Sequence, residues 1–146
     1  MKKLIIAALL LTIATTYSFA GSTTNNNSGE VKTSFRQDFK NAQLMSTEAN
    51  NNFTKITFKM NDQVLCAFYS TTGELLAVTR NILSSQLPIN LMMSLKKHYG
   101  EHWITDLFEL NGNDQTAYYV SLENADSKMT LRSNGDKWEL YASAKK

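Results

Sequence analysis

Cysteine is nearly absent from this chain: Cys66 is the only one in 146 residues, so no disulfide can form within it. Stability must come from packing. Cys66 itself reads as a small buried apolar residue on a strand, with an intermolecular disulfide or a reactive thiol as the other readings. No histidine is placed to form a catalytic signature around it. Glycine is also scarce, with six residues that fall mostly in turns or linkers. There is no phosphate-cradling glycine loop and no G-x-S-x-G elbow. The two histidines, His98 and His102, have the spacing that pairs metal ligands on a helix, but Gly100 between them ends the helix and no third ligand joins. The acidic residues are scattered over turns, with no readable carboxylate pair. The expectation is therefore no enzyme, no metal and no cofactor.

Charge of one sign is missing as well. The chain holds 15 basic and 13 acidic residues, a net charge of +2. Two of the basic residues, Lys2 and Lys3, head a secretory signature, and removing them from the 15 leaves basic and acidic residues equal at 13. A neutral chain without a basic run has little attraction for phosphate backbones, so nucleic acid is not an expected partner.

What is present begins with that signature. Lys2 and Lys3 precede an apolar run from Leu4 to Ala14, and Ser18-Phe19-Ala20 supplies small residues at the cleavage positions. Residues 1–20 read as a signal peptide, and the destination is the periplasm or the medium. The apolar run falls short of the roughly 20 residues that span a bilayer. No cysteine follows it to take a lipid anchor. Residues 21–30, with the stretch GSTTNNNSG, read as a disordered linker. Asn26-Asn27-Ser28 and Asn52-Phe53-Thr54 match the glycosylation sequon and, beside a leader of bacterial style, read as chance matches. About 125 residues remain, enough to bury roughly two-thirds of the unfolded surface in one core.

From Val31 the period is helical. Val31, Phe35, Phe39 and Ala42 form one apolar stripe, with Glu30 in the first turn and an end near Asn41. Strands follow: a short one at Leu44–Thr47, then Phe53–Met60, Val64–Tyr69 and Glu74–Arg80, linked by turns at Asn61-Asp62 and at Gly73. Pro88 opens a second helix whose stripe is Leu91, Met92, Leu95 and Tyr99, with Gly100 as its cap. Four more strands cover Trp103–Leu110, Thr116–Glu123, Lys128–Arg132 and Lys137–Ala142, the last pair joined by an Asn-Gly turn.

Each half thus reads as one helix and about four strands. Gly73 matches Gly135, and Phe35 and Phe39 match Leu95 and Tyr99. The expected fold is α+β: a tandem repeat of a helix plus a four-stranded antiparallel meander (about 31–82 and 84–142), forming one continuous sheet with the helices on one face. The far face would carry aromatics, among them Phe68, Trp103, Tyr119 and Tyr141. Rigid aromatic area on an open sheet face is a candidate recognition surface, and cross-strand pairing is the plainer reading of the same residues.

The phrases FTKITFKMNDQVLCAFYSTTGELLAVTRNILSSQLP, HWITDLFEL and YYVSLENADSKMTLRSNGDKWELY resemble the exported PepSY-like proteins of Bacteroidetes-type bacteria, grouped with the fold of the β-lactamase-inhibitor protein. The resemblance spans Val31 to Tyr141, within a domain of 31–146. It implies a concave sheet that binds a protein, and a hairpin presenting an aspartate, for which Asp62 is the matching position. The inhibitor carries disulfides that this chain cannot form. The functional expectation is an exported, non-enzymatic module whose leading form binds another protein, inhibition of a peptidase or other hydrolase being one form that binding could take. The alternative is a small-ligand or envelope-stress binding protein that uses the concave face.

Overall fold

The computed structural model of the chain describes residues 28–113 and 115–145. The expected signal peptide, and the expected linker as far as Asn27, lie outside the described residues.

Helix α1 (Ser28–Asp38) opens ahead of the apolar stripe, with Glu30 in its first turn and Arg36 in its last. A backbone bond from Phe39 N to the Phe35 carbonyl carries its last turn onward (2.9 Å). Four strands follow: β1 (Gln43–Ala49), β2 (Phe53–Met60), β3 (Gln63–Ser70) and β4 (Leu75–Asn81). A short 3-10 turn at Ser84–Gln86 leads into α2 (Ile89–Tyr99). The remaining strands are β5 (Trp103–Gly112), β6 (Gln115–Glu123), β7 (Ser127–Asn134) and β8 (Lys137–Lys145). All eight form one antiparallel sheet in the order β1 to β8.

Register decides which side chains share a face, because residues paired across antiparallel strands point the same way. Ile56 pairs with Ala67, and Ala67 with Val78. Val78 pairs with Asn111, four residues along β5 from Leu107 on the same face, and Leu107 pairs with Val120. Val31 and Phe35 of α1 pack on the first stretch of this face, against Ile56, Phe58, Ala67 and Tyr69. Leu95 of α2 packs on the second, with Leu107, Val120, Leu122 and Leu131. The indole of Trp138 on β8 donates to the Leu91 carbonyl of α2 (2.9 Å). Between the two packed stretches runs a polar strip, where Arg80 pairs with Glu109 (2.9 Å) and Asn111 donates to the same carboxylate (2.6 Å).

The expected tandem repeat is corrected by this arrangement. The chain builds a single eight-stranded sheet with two helices, and β4 continues into β5 through a ladder from Val78↔Asn111 to Asn81↔Phe108. The residues that suggested duplication differ in setting. Gly73 (φ +78) stands in the longer turn after Ser70, where an added Cβ would lie 3.0 Å from Ser34 Oγ of α1. Gly135 (φ +60) sits in the tight turn between Asn134 and Lys137 with open space around it. Phe39 lies past the end of α1, whereas Tyr99 belongs to α2. Strand β1 is exposed along its whole length, while β5 buries Leu107, Phe108 and Leu110. Turn residues and period are local signals, so they recur in any up-and-down sheet without the two stretches packing alike. The class that stands is the broader one, α+β.

A candidate binding cleft on the uncovered sheet face

Pairing also assigns the face without helices. Thr57 pairs with Cys66 and Cys66 with Thr79; Phe68 pairs with Ala77; Leu110 pairs with Ala117, and Phe108 with Tyr119. Among the described residues no helix packs here, yet Phe68 and Tyr119 are each only 1 % exposed. Side chains on a flat bare sheet would meet water. Here large neighbouring side chains cover one another instead. Phe53, Phe68, Ala77, Phe108, Leu110, Ala117 and Tyr119 make a separate apolar cluster there. The Phe108 and Tyr119 rings stack at 5.1 Å and 8°, and Phe53 meets Phe68 edge-on at 5.8 Å.

The cluster opens toward β7 and β8 as a cleft of about 610 Å³. Tyr119 forms its floor. Tyr141, half-buried, meets the Tyr119 ring edge-on at 5.6 Å, and the Arg132 guanidinium lies 5.8 Å from the centre of the same ring. A shift of register between Thr130 and Leu131 falls beside Tyr141 in the β7–β8 pairing. Asn134 donates to Glu139 across the mouth (2.7 Å). Burial pushes the Tyr119 hydroxyl pKa up, and the neighbouring Arg132 charge partly opposes that. The cleft therefore offers the half-buried Tyr141 ring, an exposed cation at Arg132 over the sealed Tyr119 ring, and hydrogen-bonding groups at its mouth. That set suits polar and aromatic groups of a partner, or a carboxylate.

The five candidate residues divide. Phe68, Tyr119 and Tyr141 come together in this one cluster, the first two as its sealed interior. Trp103, 52 % exposed at the start of β5, and Asp62, at the β2–β3 turn, lie toward the other end of the sheet from the β5–β6 and β7–β8 turns that border the cleft. Asn61 and Asp62 both have positive φ (51° and 60°), as the tight hairpin demands. The Asp62 carboxylate is 97 % exposed, 3.1 Å from Lys59. Arg132, Glu139 and Phe108 were not singled out by sequence. For Arg132 the available signal was the alternation of β7 read together with a register that sets it opposite Tyr119.

His102 lies beyond α2, which ends at Tyr99, so His98 and His102 do not share a helix face. Its Nε2 faces the Asn124 amide at 3.1 Å. Among the described residues no three His, Cys, Asp or Glu side chains gather as a metal site. Cys66 is a half-buried free thiol on the uncovered face, 3.7 Å from the Thr57 hydroxyl. No helix of the described residues is long and apolar enough to cross a membrane.

No family model and no curated protein matches the chain. Solved structures do. A DUF2874 family protein from Bacteroides ovatus aligns with TM-score 0.71 at 14% identity, over 86% of this chain and 89% of its own. A protein from Bacteroides eggerthii, described as a candidate periplasmic protein, gives 0.70 at 9%, over 86% and 90%. A BLIP-like protein from Bacteroides fragilis gives 0.67 at 11%, over 88% and 89%. At such identities the likeness is one of fold: the chain has a BLIP-like fold.

Proposed function

We propose that this chain is an exported, non-enzymatic module that holds a protein partner against the uncovered face of its sheet. The observation that carries the reading is the cleft in which Arg132 and Tyr141 frame a sealed aromatic floor at Tyr119. Floor and rim have separate work: Phe68, Phe108 and Tyr119 make the packed base, and the reachable edges of Tyr141, Arg132 and Glu139 make the contact. Interfaces draw most of their energy from such aromatic and arginine anchors set in preformed pockets. The BLIP-like fold and the periplasmic description of one structural neighbour support an exported binding protein. The PepSY-like phrases would make a peptidase or another hydrolase the target to be restrained. Asp62 and Trp103 would add contacts with a partner long enough to span the sheet. A pull-down from the producing bacterium's periplasm or medium tests the reading. One protein should be retained by the wild-type chain and lost with Arg132→Glu or Tyr141→Ala; retention by both variants would refute it.

The cleft volume of about 610 Å³ also lies within the range of small-molecule sites. A small-ligand carrier would instead gain thermal stability from peptides or amphiphiles with no protein partner present, because a ligand bound only to the folded state raises its stability.

A further inference from the structure

A second recess lies on the helix side of the sheet, between α1 and edge strand β1. It encloses about 360 Å³. α1 rests on β2 and β3 and leaves β1 uncovered, so the trough stays open and Leu44 is 50 % exposed in its wall. The sequence of α1 and the two residues after it sorts into three sectors, because residues four apart stack at about 3.6 residues per turn and the Phe39 N–H bond to Phe35 carries the last turn onward. Val31, Phe35 and Phe39 face the sheet. Asp38 is turned away from the recess and accepts the buried Tyr69 hydroxyl (2.9 Å). Lys32, Arg36 and Lys40 form the remaining row, and all three line the recess. Among the described residues no acidic group pairs with any of them, and Glu48 of β1 is engaged with Lys55 (3.5 Å) on the opposite face.

We propose that this recess binds a medium-chain fatty acid, with its carboxylate held by Lys32, Arg36 and Lys40 and its alkyl chain laid along Phe39, Ala42 and Leu44. The cationic row is complementary to an anion in a chain otherwise balanced in charge. The rest of the lining is apolar except for Thr47. A peptide would bring several amide N–H donors, and among the lining side chains only the Thr47 hydroxyl could accept from them, whereas an alkyl chain brings none. Strand addition along the β1 edge is broken by the register shift between Leu44 and Ser46. The volume is at the small end of ligand sites, which favours a medium chain over a long one.

Calorimetric titration of the whole chain with dodecanoate below its micelle concentration, beside dodecanol, tests this. Dodecanoate should fill one saturable site. Affinity should fall about tenfold or more, the equivalent of about 1.4 kcal/mol, for dodecanol and for the triple variant Lys32→Gln, Arg36→Gln, Lys40→Gln. The three cations are exposed, so the variant should fold, and its thermal midpoint verifies that. Arg132→Gln, in the other cleft, should bind dodecanoate as wild type does. Equal affinity for dodecanol, undiminished binding by the triple variant, loss on Arg132→Gln, or no saturable site would each overturn the proposal.

Discussion

Phe58 and Phe68 stand on neighbouring strands, on opposite faces of one sheet, and both are sealed from water. Over Phe58 lies α1, whose Phe35 ring is 5.1 Å away, with the Phe39 ring beyond its end at 4.6 Å. Over Phe68 lies no helix of the described residues; Phe53 meets it at 5.8 Å and the apolar cluster around it supplies the rest. The two faces reach similar burial by different means. Under α1 the buried side chains are sealed, with Met60, Leu65 and Val78 partly buried around them. The bare face is sealed where its large side chains pack on one another and is open at the cleft, where Arg132 and Tyr141 stand. An unlidded face therefore gives both a core and a cleft without added loops.

Truncating one buried ring on each face should have the largest effect. Phe58→Ala should cost about 3–5 kcal/mol in urea unfolding, and Phe68→Ala should fall in the same range. If Phe68→Ala cost less than about 1 kcal/mol, the uncovered face would be a surface and not a core. Next comes the close approach that keeps β5 against β4. A Cβ on Gly112 would lie 2.7 Å from the Leu76 carbonyl oxygen and 3.1 Å from Ala77 Cβ. Gly112→Ala should lower stability by about 1–3 kcal/mol, as overpacking does, and loosen the cleft. On the helix side, Trp138→Phe removes the bond to Leu91 and should cost about 1 kcal/mol, with little effect at Tyr141.

The faces also share a response to alkali. Tyr69 under α1 and Tyr119 on the bare face both have hydroxyl pKa values raised above 10.0, first by burial; Asp38 adds to the rise at Tyr69. A raised folded-state pKa means that the folded chain resists ionisation. Stability is then full below about pH 10 and falls as pH rises past the unfolded value toward the folded one. Tyr69→Phe and Tyr119→Phe should each flatten that fall in chemical denaturation from pH 9 to 11, and a fall unchanged by both would contradict the burial argument.

Much of the sheet was legible in the sequence because its signals are local. The alternation of Ile56, Phe58 and Met60 placed β2, and Asn61-Asp62 marked a hairpin that does require positive φ at both residues. Gly112 lies past the expected strand Trp103–Leu110 yet belongs to β5, and the close approach of Leu76 that involves it is a contact between strands distant in sequence. β3 is apolar on both sides, so period alone could not assign its faces. Pairing places Leu65, Ala67 and Tyr69 beneath α1 and Cys66 and Phe68 on the bare side. The same gap hid Arg132: a cation over an aromatic ring is a cross-strand relation, and no spacing along the chain records it.

Photo-cross-linking in the producing cell asks whether a partner sits on the uncovered face, with a photoreactive aromatic residue in place of Tyr141 on the cleft or of exposed Met93 on α2. One discrete protein adduct is expected from position 141 and none from position 93. An adduct from position 93 alone, or none from position 141, would mean that no partner sits on that face.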